Sequence, residues 1–209
     1  MLFKANEYIP TEFDYVYLMD RLSAYSDPWG RVRRMLKTGE IVRVKKGLYV
    51  PGKEYGTQYS NIVLANLIFG PSYVSYAAAL AHYGLIPELP ASVWSVTPAR
   101  KKSFATPVGS FDYFFQNINL YAAGMTRVQI EGEKFALIAT PEKALFDFVK
   151  FRLGNSSKTV APTADLLIED LRLDEDSLKR LSVGKLEELS LVSKTKLGIE
   201  LATCLRKLK

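Results

Sequence analysis

Between Asp27 and Gly52 the sequence is punctuated so closely that its local structure is strongly constrained. Asp27 can cap a helix and Pro28 suits its first position, because an Asp side chain accepts from free first-turn amides and Pro lacks an N–H that would go unsatisfied there. Val32, Met35 and Leu36 form an apolar stripe at helical spacing, and Gly39 is placed to end the helix. Ile41–Val44 and Leu48–Val50 have the composition of short strands. Lys45-Lys46-Gly47 makes the turn between them, and Pro51-Gly52 stops the second. Upstream, Tyr15, Leu18, Met19 and Leu22 recur at i, i+3, i+4 and i+7, which predicts an earlier helix within 12–25. The expected order is helix, helix, hairpin.

The charge of this segment narrows its role. Residues 28–53 hold Arg31, Arg33, Arg34, Lys37, Arg43, Lys45, Lys46 and Lys53 against the single acid Glu40, a net +7, and the whole chain is +6, so everything else sums to −1. One dense positive block is the electrostatic footprint of a polyanion partner. On a helical wheel Arg34 and Lys37 lie nearly opposite the apolar stripe, flanked by Arg31, Arg33 and Thr38. A helix fits the DNA major groove, where Arg can bond guanine O6 and N7 together. Arg43, Lys45 and Lys46 on the hairpin are placed for phosphates, which fix position without reading sequence, and Tyr49 would brace the wing. The rival readings are a solvated cationic face, an acidic protein partner in place of DNA, and RNA; for RNA, stacking aromatics on strands are not evident.

Beyond the block the texture changes. Residues 60–70 and 74–84 read as apolar helices, Ser92–Thr97 and Phe111–Phe115 as strands, and 126–131 with 133–139 as a hairpin around Glu131-Gly132. Thr140-Pro141-Glu142 opens a helix through Arg152. Gly154–Thr163 is polar and reads as a linker, and the leucine-rich tail from Ala164 reads as two or three amphipathic helices. The fold class expected is α+β: a winged helix-turn-helix over 1–56, then a mixed α/β domain over 57–209 whose segment 164–209 is helical. With 48% hydrophobic residues, the chain has ample material for a core. One cysteine, Cys204, excludes an internal disulfide and fits a reducing compartment. Met1–Pro10 lacks the apolar region of a signal peptide, and Ile62–Phe69 is too short to span a bilayer, so a cytoplasmic location without membrane association is expected.

Residues that would mark an enzyme are sparse. His82 is the one histidine and lies on an Ala-rich helix, where a core or edge role is expected; with Cys204 it cannot make a His/Cys metal site. No nucleophile elbow and no Gly-rich phosphate loop occur, so no catalytic residue, metal or cofactor is assigned. Glu142 and Asp147 stand at i, i+5, poor geometry for a shared site. Asp112 could serve a metal nuclease with acids elsewhere, but no supporting spacing backs it. Arg100, Lys101 and Lys102 form a smaller basic cluster in a turn, either solvated or a second contact to phosphates or an acidic partner. Tyr113, Phe114 and Phe115 in succession cannot all face one side of a strand, so at least one points into a second layer or an interface.

Four segments together resemble the AbiEi-type antitoxins of type IV (abortive-infection) toxin–antitoxin pairs. These are RRMLKTGEIVRVKKGLYV (33–50), VSYAAALAHYGL (74–85), VWSVTPAR (93–100) and ATPEKALFD (139–147). In order and spacing the resemblance covers about residues 12–152. It implies a non-enzymatic, two-domain antitoxin. Its winged helix would bind duplex DNA at repeats in its own promoter and repress a two-gene operon, while the remainder antagonises a nucleotidyltransferase-type toxin. The sequence departs from the pattern in one respect: the segment before the recognition helix is short and the first helix of the winged fold is not evident, so that it either falls in residues 2–9 or is reduced.

Overall fold

A computed structural model describes residues 10–56, 59–131, 134–154 and 161–209. Helix α2 (Pro28–Thr38) starts where Asp27 accepts a hydrogen bond from the Gly30 amide at 2.8 Å and stops at Gly39, which takes φ 77. Strands β2 (Ile41–Lys45) and β3 (Leu48–Pro51) follow as an antiparallel hairpin. The upstream helix α1 (Tyr15–Arg21), with Leu22 as its C-cap, covers the predicted apolar stripe and is shorter than the 12–25 segment around it. Asp14 caps it by accepting from the Tyr17 amide at 2.8 Å. This frees Phe13–Asp14 to form strand β1, which pairs with β3 and gives a sheet of order β1-β3-β2. The element order fits a winged helix-turn-helix; the place expected for its first helix lies outside the described residues.

The rest of the chain is built on a six-stranded mixed sheet of order β6-β7-β5-β4-β9-β8. Its strands are β4 (Tyr73–Val74), β5 (Ser92–Thr97), β6 (Lys102–Thr106), β7 (Gly109–Phe115), β8 (Met125–Glu131) and β9 (Lys134–Ala139). The β5/β7 and β4/β9 pairs are parallel and the others antiparallel. Around the sheet run α3 (Asn61–Ile68), α4 (Tyr76–His82), α5 (Ile118–Ala122) and α6 (Pro141–Leu153). Thr140 caps α6 and Pro141 opens it, as their chemistry predicts. The C-terminal segment is helical: a wide turn over Leu166–Asp170, then α7 (Glu175–Arg180), α8 (Val183–Ser193) and α9 (Leu197–Leu208). The predicted hairpin tip and most of the predicted linker lie outside the described residues. Strand β6 and helix α5 were not legible in the sequence; Lys102, read as part of a turn, opens β6.

Two apolar clusters hold these elements. Phe13, Leu18, Leu22, Val32, Met35, Ile41 and Tyr49 form the smaller one. Val44, Leu48 and Val50 of the same hairpin belong instead to the larger cluster, with residues of α3, α4, the six-stranded sheet and the C-terminal helices. The hairpin therefore has apolar cover on both faces, and the α2 unit is seated on the larger core. At the far end, α9 crosses α8 at Gly198, where a Cβ would stand 2.0 Å from the Leu186 carbonyl oxygen. Gly198→Ala must push the two helices apart. We expect it to destabilise the protein by about 1–3 kcal/mol, typical of overpacking. That corresponds to a melting midpoint lower by several degrees in a chain of this size, read by calorimetry, and an unchanged midpoint would show that the crossing yields freely.

Candidate nucleic-acid interface

Helix α2 sorts its side chains as the wheel requires. Val32 and Met35 are buried, while Arg33, Arg34, Lys37 and Thr38 are exposed. On the hairpin Arg43 and Lys46 are also exposed. None of these five cations forms an ion pair with a described residue. They make a continuous chain segment of free positive charge on a helix face and the hairpin that follows it. Thr38 bonds back to the Met35 carbonyl at 3.2 Å, so its hydroxyl is partly committed to the end of the helix.

Three of the predicted contacts are placed differently. Arg31 is turned onto its own unit: its guanidinium lies 3.7 Å from Glu40, its side chain is only 20% exposed, and it stands 5.7 Å from the Tyr25 ring centroid. Glu40 also accepts from the Tyr55 hydroxyl at 2.9 Å. The one acid of the basic block thus meets Arg31 and Tyr55 and forms no recorded ion pair with the exposed cations of α2 and the hairpin. Lys45 points inward, donating from Nζ to the Ile68 carbonyl at the end of α3 at 2.5 Å, and partial burial lowers its pKa. That bond ties the hairpin to α3 and turns Lys45 away from the exposed cations, although two of its N–H donors remain. Tyr49 is buried, stacked on Phe13 at 6.1 Å between centroids. It is in a bracing position and out of reach of a ligand on the surface.

Sequence reasoning missed Trp29. It lies in the first turn of α2, one turn before Arg33, 56% exposed and stacked on Tyr15 at 5.1 Å. An indole that large and open beside a cationic face extends the candidate surface to the helix N-terminus. Its signal was a bulky aromatic following the Asp-Pro start, at a position the apolar stripe does not need. The second basic cluster is exposed, but its lysines rest on aromatic rings: Lys101 lies 5.2 Å from Phe114, and Lys102 lies 5.6 Å from Phe69 and 5.4 Å from Phe104. Arg100 is exposed without a ring beneath it among the described contacts.

A second constellation lies inside the larger unit. Lys143 and Asp147, one turn apart on α6, are both fully buried and paired at 2.5 Å. Asp147 also accepts from the Ser75 hydroxyl at 2.7 Å and the Gln116 amide at 2.7 Å, and Lys143 donates to the Gln116 carbonyl oxygen at 2.9 Å. Beside it, Tyr76 takes φ 54, a left-handed conformation that costs a bulky residue on the order of 1–3 kcal/mol. Burial and the Asp147 charge raise the pKa of Tyr76 well above the ordinary phenol range. Burial lowers the pKa of Lys143, opposed by the adjacent carboxylate. Glu142 faces elsewhere, accepting from the Ser182 amide at 3.1 Å and lying 3.6 Å from Lys185. Asp112 is occupied by the hydroxyls of Ser92 and Ser103 at 2.7 and 2.5 Å. His82 is exposed at the end of α4. Among the described residues no group of three or more His, Cys, Asp or Glu is gathered to hold a metal ion, and no helix is long and apolar enough to cross a membrane.

The fold is α+β, with an N-terminal helix-turn-helix and hairpin, a mixed sheet and a helical C-terminal segment. It is similar to the crystal structure of RV2827C protein from Mycobacterium tuberculosis, with a TM-score of 0.57 and 18% sequence identity over 95% of this chain and 72% of that one. At that identity the likeness is one of fold. No protein-family model matches the chain, and no curated protein does.

Proposed function

We propose that the protein is a DNA-binding transcriptional repressor. On this reading it is the antitoxin of a type IV toxin–antitoxin operon, acting in the cytoplasm without cofactor or catalytic activity. The observation that carries the DNA reading is the set of exposed, unpaired cations Arg33, Arg34, Lys37, Arg43 and Lys46 on α2 and its hairpin. Arg33, Arg34 and Lys37 read or line the major groove, Trp29 flanks them, and Arg43 and Lys46 hold phosphates beside it. The antitoxin reading rests on the four segments that resemble AbiEi-type proteins; its partner is a nucleotidyltransferase-type toxin.

Each phosphate neutralised by a cation releases counterions, so log Kobs falls with log salt by about 0.9 per contact. With Arg43 and Lys46 on phosphates, a slope of about −2 is expected, and roughly a tenfold loss of affinity between about 50 and 200 mM salt, steeper for each of Arg33, Arg34 and Lys37 that also meets a phosphate. The measurement is fluorescence anisotropy on a fragment of the DNA upstream of the protein's own gene. Binding that is flat with salt, or absent, removes the DNA reading and leaves an acidic protein as the partner of the block. The antitoxin half is tested by co-expression with the adjacent reading frame. Growth inhibition by a nucleotidyltransferase-like product, relieved by this protein, is the expected outcome. A neighbour that is harmless alone counts against it.

A further inference from the structure

The buried constellation of α6 forms the floor of a cavity of about 340 Å³ that the DNA-facing surface does not use. Helix α6 presents Asp147, Lys150 and Phe151 to it at i, i+3 and i+4, so they share one face. The end of β7 supplies Phe114 and Phe115 followed by Gln116, and Tyr76 enters from the start of α4.

The walls are aromatic. Tyr76, Phe114 and Phe151 meet edge to face with centroids 5.4 to 6.0 Å apart, which leaves flat ring surfaces fixed against one another. Phe115, 60% exposed, and Phe151, 43% exposed, are the most open of its aromatic lining residues. The floor is polar and rigid. Lys143 and Ser75 fix the Asp147 carboxylate and the Gln116 amide, whose N–H groups go to Asp147 and Tyr76 and whose oxygen keeps one lone pair beyond its bond from Lys143. Lys150 lines the cavity as a cation with no ion pair to a described residue.

Three requirements on a ligand follow. It must be flat and apolar on its faces, carry a donor on an edge, and bear negative charge at one end. The volume lies at the small end of the range for ligand pockets, about 300–1,000 Å³, which suits a single base and not a dinucleotide. Tyr76 held in the left-handed region and a buried ion pair are the kind of fixed, costly features that gather at binding sites.

We propose that this cavity binds a nucleobase carrying a phosphate, in the form of a free mononucleotide. The base lies against Phe115 and Phe151, its edge meets the Gln116 amide, and the phosphate takes Lys150. No residue of α2 or its hairpin lines the cavity, so the inference stands apart from the DNA reading.

The test is calorimetric titration of the full chain with the four ribonucleoside monophosphates, the matching nucleosides, inorganic phosphate and a short single-stranded oligonucleotide. The variants Phe115→Ala and Lys150→Ala change partly exposed side chains and should melt as the parent does. Binding of at least one monophosphate is expected. Lys150→Ala should weaken it about tenfold or more while leaving the nucleoside unchanged, the loss expected for one charge-assisted contact. Phe115→Ala should weaken nucleoside and nucleotide alike, by about tenfold, as for loss of one stacking platform. No heat with any monophosphate at millimolar concentration overturns the proposal, as does binding that neither variant alters. An oligonucleotide that binds and that mononucleotides fail to displace places the base on a strand and overturns the free-nucleotide assignment.

Discussion

Arg34→Ala together with Lys37→Ala is expected to abolish binding to the protein's own upstream DNA while leaving its melting curve in place. Both side chains are exposed and free of described ion pairs, so their loss removes no packing from the folded protein. If each makes one base or phosphate contact worth about 1–3 kcal/mol, the pair accounts for about two orders of magnitude in affinity or more. A gel-shift titration reads this directly. A double variant that binds as the parent does would remove α2 from the groove. Lys45→Ala is the matched contrast. Its ammonium is engaged with the Ile68 carbonyl, so the change should lower thermal stability and leave the salt slope of DNA binding unaltered.

Asp147→Ala should be the most destabilising single change in the larger unit. It strands Lys143 in a fully buried site without its counter-charge and removes the acceptor of Ser75 and Gln116. Breaking a buried pair from one side costs about 3–5 kcal/mol. The pH dependence has a definite sign. Burial already lowers the pKa of Lys143, and the carboxylate opposes that shift. Without Asp147 the folded-state pKa falls further below the ordinary 10.5, so the unfolded chain binds more protons between the two values. Stability of the variant should therefore rise with pH up to about the ordinary lysine value, more steeply than in the parent, as read by chemical denaturation across the alkaline range. Lys143→Met added to Asp147→Leu should recover part of the loss, since an apolar pair needs no compensation for buried charge. A single variant as stable as the parent would mean that water or rearrangement reaches the site.

The comparison of sequence with structure is instructive at particular residues. The limits of α2, its buried Val32 and Met35, the β2/β3 hairpin and the Thr140-Pro141 start of α6 were legible because capping, glycine stops and apolar periodicity act over a few residues. The exposure of Arg33, Arg34 and Lys37 on α2 was legible for the same reason: a buried stripe dictates the opposite face. Strand β1 was not, since Phe13 lies before the helical stripe and becomes a strand by pairing with Tyr49, a contact that local spacing does not encode.

The sequence by itself determined that a cationic helix and hairpin must exist and roughly which way they face, because charge density and periodicity are properties of neighbouring residues. Tertiary structure alone decided which of those cations are free: Glu40 takes Arg31, and the Ile68 carbonyl takes Lys45. It also assembled Ser75, Gln116, Lys143 and Asp147, with Ser75 lying 72 residues and Gln116 31 residues from Asp147 along the chain. Such a cluster is favourable only after the sheet and α6 have excluded water from it. Its signal in the sequence was no more than a Lys and an Asp one turn apart among apolar residues.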